Sequence, residues 1–211
     1  MDLAKMIDYT LLKPQATEKD VVELCHRAQE HKFAMVCINP TFVQMAVKLL
    51  SGTGIGVAAV VGFPFGYTYS EIKAQEIYMV KAQGAAEVDA VINIGLAKSG
   101  LWGALERDIA QVVEAAQKCG LTNKIIIEIS LLTEKEQRTT AEIIKNVGAD
   151  FLKTSTGFTG VAVTAADVIN LKSWLGNSVK IKAAGGIRTK SFALELIQAG
   201  AERLGTSALL T

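Results

Sequence analysis

Three charged residues stand where charge is costly. Phe151-Leu152-Lys153-Thr154, Val179-Lys180-Ile181-Lys182-Ala183 and Glu87-Val88-Asp89-Ala90-Val91 place Lys153, Lys182 and Asp89 in short apolar runs. Lysine is almost never fully buried without a partner. Burial disfavours an ammonium, and a second cation nearby does the same. The product is a neutral amine able to attack a carbonyl. A carboxylate in an apolar run needs a cation beside it, as a buried ion pair or as one half of a proton shuttle through water. Spacing leaves both readings open, and also leaves open lysines that snorkel to solvent. Lys180 and Lys182 share one face by the two-residue strand period, so Lys180 would suffer the larger penalty deep inside.

Glycines supply a second signal. Ala184-Gly185-Gly186-Ile187-Arg188-Thr189 follows the Lys182 run, and Gly205-Thr206-Ser207 follows the last apolar run. Glycines let backbone N–H groups approach an oxyanion, and a helix N-terminus beyond them adds favourable potential. Arg188 and Ser207 would add donors, so a phosphate site is expected at these two loops. Cys37 ends one apolar run, and Asp8 and Thr10 interrupt the first at alternate positions. All three are candidates to face the same site. Their plainer readings are a buried thiol and strand-end caps.

The elements that would position these residues alternate. Apolar, β-branched runs at 6–11, 34–38, 57–62, 88–93, 124–129, 151–154, 179–183 and 203–205 read as strands. Near-continuous apolar strands indicate a parallel sheet buried on both faces. Between them lie amphipathic helical patterns: one capped by Thr17, and others at 41–50, 70–83, 101–118, 134–147, 165–175 and 191–198. Gln83-Gly84-Ala85, Val147-Gly148-Ala149 and Ala199-Gly200-Ala201 repeat one helix stop, with glycine suited to the left-handed C-terminal position. The expectation is one (β/α)8 TIM barrel over residues 1–211, with chemistry at the C-terminal strand ends. A doubly wound sheet is the rival, but no G-x-G-x-x-G opens a helix after an early strand. After Ala208-Leu209-Leu210-Thr211 an eighth helix is expected to be short or absent.

Composition excludes several classes. The chain has 211 residues, half of them hydrophobic, and a formal net charge of +1. Such a balance gives no bias toward nucleic acid or membrane surfaces, so a bound anion needs a local site. Cys25, Cys37 and Cys119 form no C-x-x-C pair, which suggests neither a disulfide framework nor a zinc site and fits a reduced, intracellular compartment. The only histidines, His26 and His31, lie in one polar helical stretch. Residues 1–5 lack the apolar core of a secretory signal, and no apolar run is of transmembrane length.

Six ordered motifs carry a resemblance over nearly the whole chain: Ile7-Asp8-Tyr9-Thr10-Leu11-Leu12-Lys13-Pro14, Val36-Cys37-Ile38-Asn39-Pro40, Gly62-Phe63-Pro64, Glu87-Val88-Asp89-Ala90-Val91-Ile92-Asn93, Lys153-Thr154-Ser155-Thr156-Gly157-Phe158 and Lys182-Ala183-Ala184-Gly185-Gly186-Ile187-Arg188-Thr189. Together they resemble the deoxyribose-phosphate aldolase family. That resemblance implies a class I aldolase, cleaving 2-deoxy-D-ribose 5-phosphate reversibly to acetaldehyde and glyceraldehyde 3-phosphate. It implies Lys153 as the Schiff-base lysine, with Lys182 keeping it uncharged and joining Asp89 in moving protons. Substrate contacts are implied at Asp8, Thr10, Cys37, Thr156, Gly157, Gly185, Gly186, Gly205 and Ser207. The resemblance implies no metal or organic cofactor, no nucleic-acid or membrane partner, a cytoplasmic location and often a homodimer.

The chain departs from the family pattern in places. Phe65-Gly66-Tyr67-Thr68-Tyr69-Ser70 is bulkier than usual and is expected to reshape the site entrance. The strand after Lys124 ends Glu128-Ile129-Ser130, where a threonine and a small residue are more usual. Ala208 replaces a common serine, which would remove a phosphate hydrogen bond of about 1–3 kcal/mol. The alternatives are therefore a non-catalytic sugar-phosphate-binding barrel, an aldolase with altered acceptor preference, or different chemistry with Glu128 as its base.

Overall fold

Runs that are apolar on both faces become parallel strands covered by helices, because both faces must leave water. The computed structural model describes residues 2–209. Its strands are β1 (Ile7–Leu11), β2 (Met35–Ile38), β3 (Gly56–Val61), β4 (Glu87–Val91), β5 (Thr122–Ile126), β6 (Phe151–Lys153), β7 (Lys180–Ala184) and β8 (Arg203–Thr206). They pair in chain order, all parallel, and β8 closes on β1 with Asp8 opposite Gly205. This is the (β/α)8 barrel expected from the alternation.

The helices are α1 (Glu18–Glu30), α2 (Val43–Leu49), α3 (Ser70–Ala82), α4 (Ile94–Lys98), α5 (Trp102–Lys118), α6 (Glu134–Asn146), α7 (Ala165–Leu175) and α8 (Lys190–Gln198). Thr17, Thr133 and Thr164 each close a capping box, with Asp20, Glu136 and Asp167 three residues on. Gly84, Gly148 and Gly200 take φ of 99°, 74° and 118° just past α3, α6 and α8, so the repeated stop is a left-handed one. Strand ends fall a few residues from those expected, as in β4 and β5, and two helical details differ from the sequence reading. The α4 helix was not foreseen, and α2 is shortened at its start by a 3-10 turn over Pro40–Phe42. No helix follows β8 among the described residues. Leu210 and Thr211, where a short eighth helix was sought, lie outside them.

The main core lies between the sheet and the helices, built from residues such as Val36, Ala59, Val88, Ile125, Leu152 and Ile181 against Leu24, Ile77, Ile109, Ile144 and Leu171. The barrel interior is divided. Met35, Cys37, Ala58 and Val60 of β2 and β3 make a small apolar cluster. Across from it, β1 and β4–β8 turn charged side chains inward, and these form the site.

Candidate active site

The two-residue period puts Asp89, Lys153 and Lys182 on the inner face of β4, β6 and β7. Lys153 lies opposite Lys182 in the β6–β7 register. Both amines reach one atom: Lys153 Nζ donates to Asp89 Oδ2 at 2.8 Å and Lys182 Nζ donates to it at 2.7 Å. Lys182 also donates to Asp8 Oδ2. Lys182, Asp8 and Asp89 are all at 0% exposure, whereas Lys153 is at 2%. Lys180 behaves differently: it leaves the barrel at its N-terminal end, exposed, with its ammonium 5.5 Å from the centre of the Phe151 ring.

Three further charged residues complete the cluster. Lys124 on β5 sits opposite Asp89 in register, donates to Asp89 Oδ1 at 2.8 Å, and pairs with Glu87. Arg203 on β8 donates to Asp8 Oδ1 at 2.7 Å and lies 3.4 Å from Glu87. Four cations (Lys124, Lys153, Lys182 and Arg203) thus face three carboxylates (Asp8, Glu87 and Asp89). Sequence reasoning missed Lys124, Glu87 and Arg203. The available signal was their even spacing from residues already singled out, as in Glu87 to Asp89.

The cluster sets its own charge states. Burial works against the Lys182 ammonium, but Asp8 and then Asp89 outweigh it and raise its pKa above the ordinary 10.5. Burial likewise opposes the Lys124 ammonium, and Asp89 leads the groups that raise it. Burial opposes the Asp89 carboxylate too, yet Lys124, Lys153 and Lys182 hold it well below the ordinary 3.8. Asp8 is lowered in the same way, by Lys182, Lys124 and Arg203 against its burial. Burial, then Asp89, pushes the Cys37 thiol up to about 11. That thiol is a donor, 3.7 Å from Asp89 Oδ2.

Above the cluster opens a cavity of about 450 Å³, lined by the loops at the C-terminal ends of β1, β6, β7 and β8. Lys153 reaches its floor. Of the expected substrate contacts, Thr10, Thr156, Gly157, Gly185, Gly186, Gly205 and Ser207 line it, as does Arg188. Asp8 and Cys37 do not: they lie fully buried among the charged and apolar interior residues. The 65–70 loop lies outside the cavity lining as well. Phe65 and Tyr67 stack on each other with centroids 5.5 Å apart, both exposed. Gly66 lies so close to β4 that a Cβ there would fall 1.8 Å from the Ile92 carbonyl oxygen. Gly66 thereby fixes the loop against the end of β4, and none of the loop's residues lines the cavity. The aromatic that does line the cavity is Phe158, braced edge-on by Phe63 at 5.2 Å.

Gly185 and Gly186 take φ of 101° and 74°, conformations that L side chains rarely adopt. A Cβ at Gly186 would lie 2.5 Å from the Ala162 Cβ, so the loop is packed as tightly as its sequence allows. It leads into α8, whose cap is Thr189. Backbone N–H groups between such a turn and a helix start are suited to a phosphate.

The geometry agrees with comparisons to known proteins. The family model for DeoC/LacD family aldolases matches residues 3–210. A deoxyribose-phosphate aldolase of Desulfitobacterium hafniense is 62% identical over 207 residues, spanning 98% of this chain and 95% of its own. One from Aciduliprofundum boonei is 47% identical over 206 residues, spanning 98% and 93%. The tetrameric deoxyribose phosphate aldolase of Aeropyrum pernix superposes with a TM-score of 0.90 at 33% identity, covering 97% of this chain and 86% of that one. Sequence and barrel agree from end to end, and the chain belongs to the DeoC/LacD family of aldolases.

Proposed function

We propose that this protein is a Schiff-base aldolase that reversibly cleaves 2-deoxy-D-ribose 5-phosphate to acetaldehyde and D-glyceraldehyde 3-phosphate. The observation that carries the reading is the meeting of Lys153 and Lys182 on one Asp89 oxygen beneath the cavity. Lys153 is the one lysine of the cluster that lines the cavity, and it has a single carboxylate partner. Lys182 has two. The amine that faces the cavity and has the fewest partners is the one placed to meet a carbonyl. The sequence reading gave Lys182 two parts, a cation beside Lys153 and a partner of Asp89 in moving protons. Its two carboxylates favour the first, a fixed cation beside the reacting amine.

In the synthetic direction the Lys153 amine adds to the carbonyl of acetaldehyde and water leaves, giving a protonated imine. Loss of a proton from the methyl carbon gives an enamine. That carbon attacks the carbonyl of glyceraldehyde 3-phosphate, whose oxygen takes up a proton. Hydrolysis of the new imine then frees the sugar phosphate and the amine. Asp89 Oδ2 touches the Lys153 amine, so a carboxylate stands beside the reacting nitrogen to take up and return a proton. Gly185, Gly186, Gly205, Ser207 and Arg188 would hold the phosphate, with Thr10, Thr156 and Gly157 along the substrate; Asp8 and Cys37 would act from beneath, through Lys182 and Asp89. Two further readings accompany this: a cytoplasmic location, and self-association through the exposed Ile72 and Met79 of α3 and Tyr69 at its cap.

Incubation with acetaldehyde and borohydride tests the chemistry. A permanent mass gain at Lys153 is expected, and it should be absent from Lys153→Ala. Saturable sugar-phosphate binding with neither trapping nor turnover would instead favour a binding protein on the same barrel.

A further inference from the structure

Glu128 is a buried carboxylate whose partners are hydroxyls and an amide rather than a cation. It stands just past β5 with φ 47° and ψ 66°, a left-handed conformation that non-glycine residues seldom take. Strain of this kind persists where the surroundings over-determine it, and it gathers at functional sites. Here the surroundings are the loop after β6. Glu128 Oε2 accepts the Thr156 N–H at 3.0 Å and also the Thr156 hydroxyl. The backbone beside it is tied to the same loop, since Ile129 N–H donates to the Thr154 carbonyl at 2.8 Å.

These bonds decide which way Thr156 can hydrogen-bond. A hydroxyl has one hydrogen and two lone pairs. The Thr156 hydrogen goes to Glu128, and one lone pair accepts the Phe158 N–H at 3.1 Å. A single lone pair is left on a side chain that lines the cavity with Lys153. Anything in the cavity can only donate to it. Thr156 shares that cavity with Lys153, where the carbonyl reacts, and with the glycine loop at Gly185 and Gly186.

We infer that Glu128 is a positioning residue that fixes Thr156 as a hydrogen-bond acceptor, so that the site selects acceptor aldehydes with a hydroxyl between carbonyl and phosphate. The inference rests on the aldolase reading and deepens it. A glyceraldehyde-type acceptor offers the required O–H. An analogue without that hydroxyl leaves the Thr156 lone pair unmet, and sites built to bond a hydroxyl reject such analogues strongly.

The readout is the ratio of kcat/KM for glyceraldehyde 3-phosphate to that for 3-phosphooxypropanal, its deoxy analogue. Glu128→Ala and Thr156→Val should each shrink the ratio about ten-fold or more. Glu128→Gln should keep it within about three-fold of the unsubstituted protein, because a carboxamide oxygen can accept both Thr156 bonds. Glu128→Ala lowering both rates equally would overturn the inference, as would Glu128→Gln losing the preference as fully as Glu128→Ala. If Glu128→Ala does not fold, Thr156→Val against Thr156→Ser decides: an undiminished ratio in Thr156→Val overturns it. Borohydride trapping of acetaldehyde in the unsubstituted protein is read alongside. Its absence sinks the aldolase reading, whereas trapping with an unchanged acceptor ratio sinks only this one.

Discussion

Lys153 and Lys182, on adjacent strands, donate to the same carboxylate oxygen, Oδ2 of Asp89, at 2.8 and 2.7 Å. Lys124 takes the other oxygen at 2.8 Å. One carboxylate thus separates three amines that are each at most 2% exposed. Asp89→Asn should be costly on two counts. Activity should fall about 10²–10⁴-fold, since the proton carrier is lost. Stability should fall by about 3–5 kcal/mol, as expected when one partner of a buried charge set is removed. Steady-state kinetics and urea denaturation read the two effects separately. Near-normal turnover in this variant would remove Asp89 from the chemistry.

Lys182→Met removes the fixed cation beside the proposed nucleophile. A neighbouring cation disfavours a second ammonium, so without it the acid limb of the pH–rate profile should move upward. The loss in kcat/KM should be about 10²-fold or more near pH 7 and should narrow as pH rises. A merely structural role predicts an equal loss at every pH. Profiles of both proteins from pH 6 to 10 would separate the two.

The same cluster makes stability depend on pH in a defined window. Asp8 and Asp89 titrate below their ordinary 3.8 in the folded protein. Their contribution is therefore present above that value and lost as pH falls toward their folded values. Lys182 titrates above its ordinary 10.5. Its contribution is complete below that value and lost as pH climbs through the folded one. Urea midpoints should be flat with respect to these groups between about pH 5 and 10 and should drop on both sides. In Asp89→Asn the acid-side drop should be shallower, and an unchanged slope there would mean that the cluster does not act as described.

Much of this site was legible in the sequence because it violates a pattern. Lys153, Lys182 and Asp89 stand out as charges in apolar runs. The Gly185-Gly186 pair marks a loop whose φ values only glycine tolerates well. Lys124 is as deeply buried as Lys182, and Glu87 and Arg203 are less so; each stands at or near the start of a strand, where a polar residue reads as part of the preceding turn. Their partners lie on other strands, and such pairing is fixed by barrel stagger, which local spacing does not reveal. Depth escaped for the same reason. Thr10 and Cys37 are opposite in register, but only Thr10 reaches the cavity. The α4 helix, Ile94–Lys98, is too short for a helical period to show.

A second buried ion pair lies outside the barrel. Lys73 Nζ on α3 donates to both Asp108 oxygens on α5, at 2.9 and 2.8 Å. Asp108 Oδ2 also accepts the Asn93 N–H at 3.0 Å, which ties the pair to the end of β4. Lys73→Met or Asp108→Leu alone strands a charge and should cost about 3–5 kcal/mol. The double variant should recover most of that loss, short of about 1–3 kcal/mol for the Asn93 N–H left without its acceptor. A double-mutant cycle in urea measures the coupling, and strict additivity would show that the two charges do not support each other.

The phosphate assignment rests on backbone, so it is best tested through backbone. Gly186 holds φ 74°, and a Cβ there would sit 2.5 Å from the Ala162 Cβ. Gly186→Ala must therefore shift the loop, while the charged cluster beneath Lys153 keeps its own partners. Borohydride trapping of acetaldehyde at Lys153 should survive. The KM for glyceraldehyde 3-phosphate should rise about ten-fold, equivalent to roughly 1.4 kcal/mol of lost binding. Unphosphorylated glyceraldehyde, which has nothing for the loop to hold, should change much less. The comparison of the two acceptors carries the decision, because strain that merely loosened the barrel would raise both KM values together. An unchanged KM for glyceraldehyde 3-phosphate would place the phosphate elsewhere in the cavity, with Arg188 and Ser207 the next residues to test.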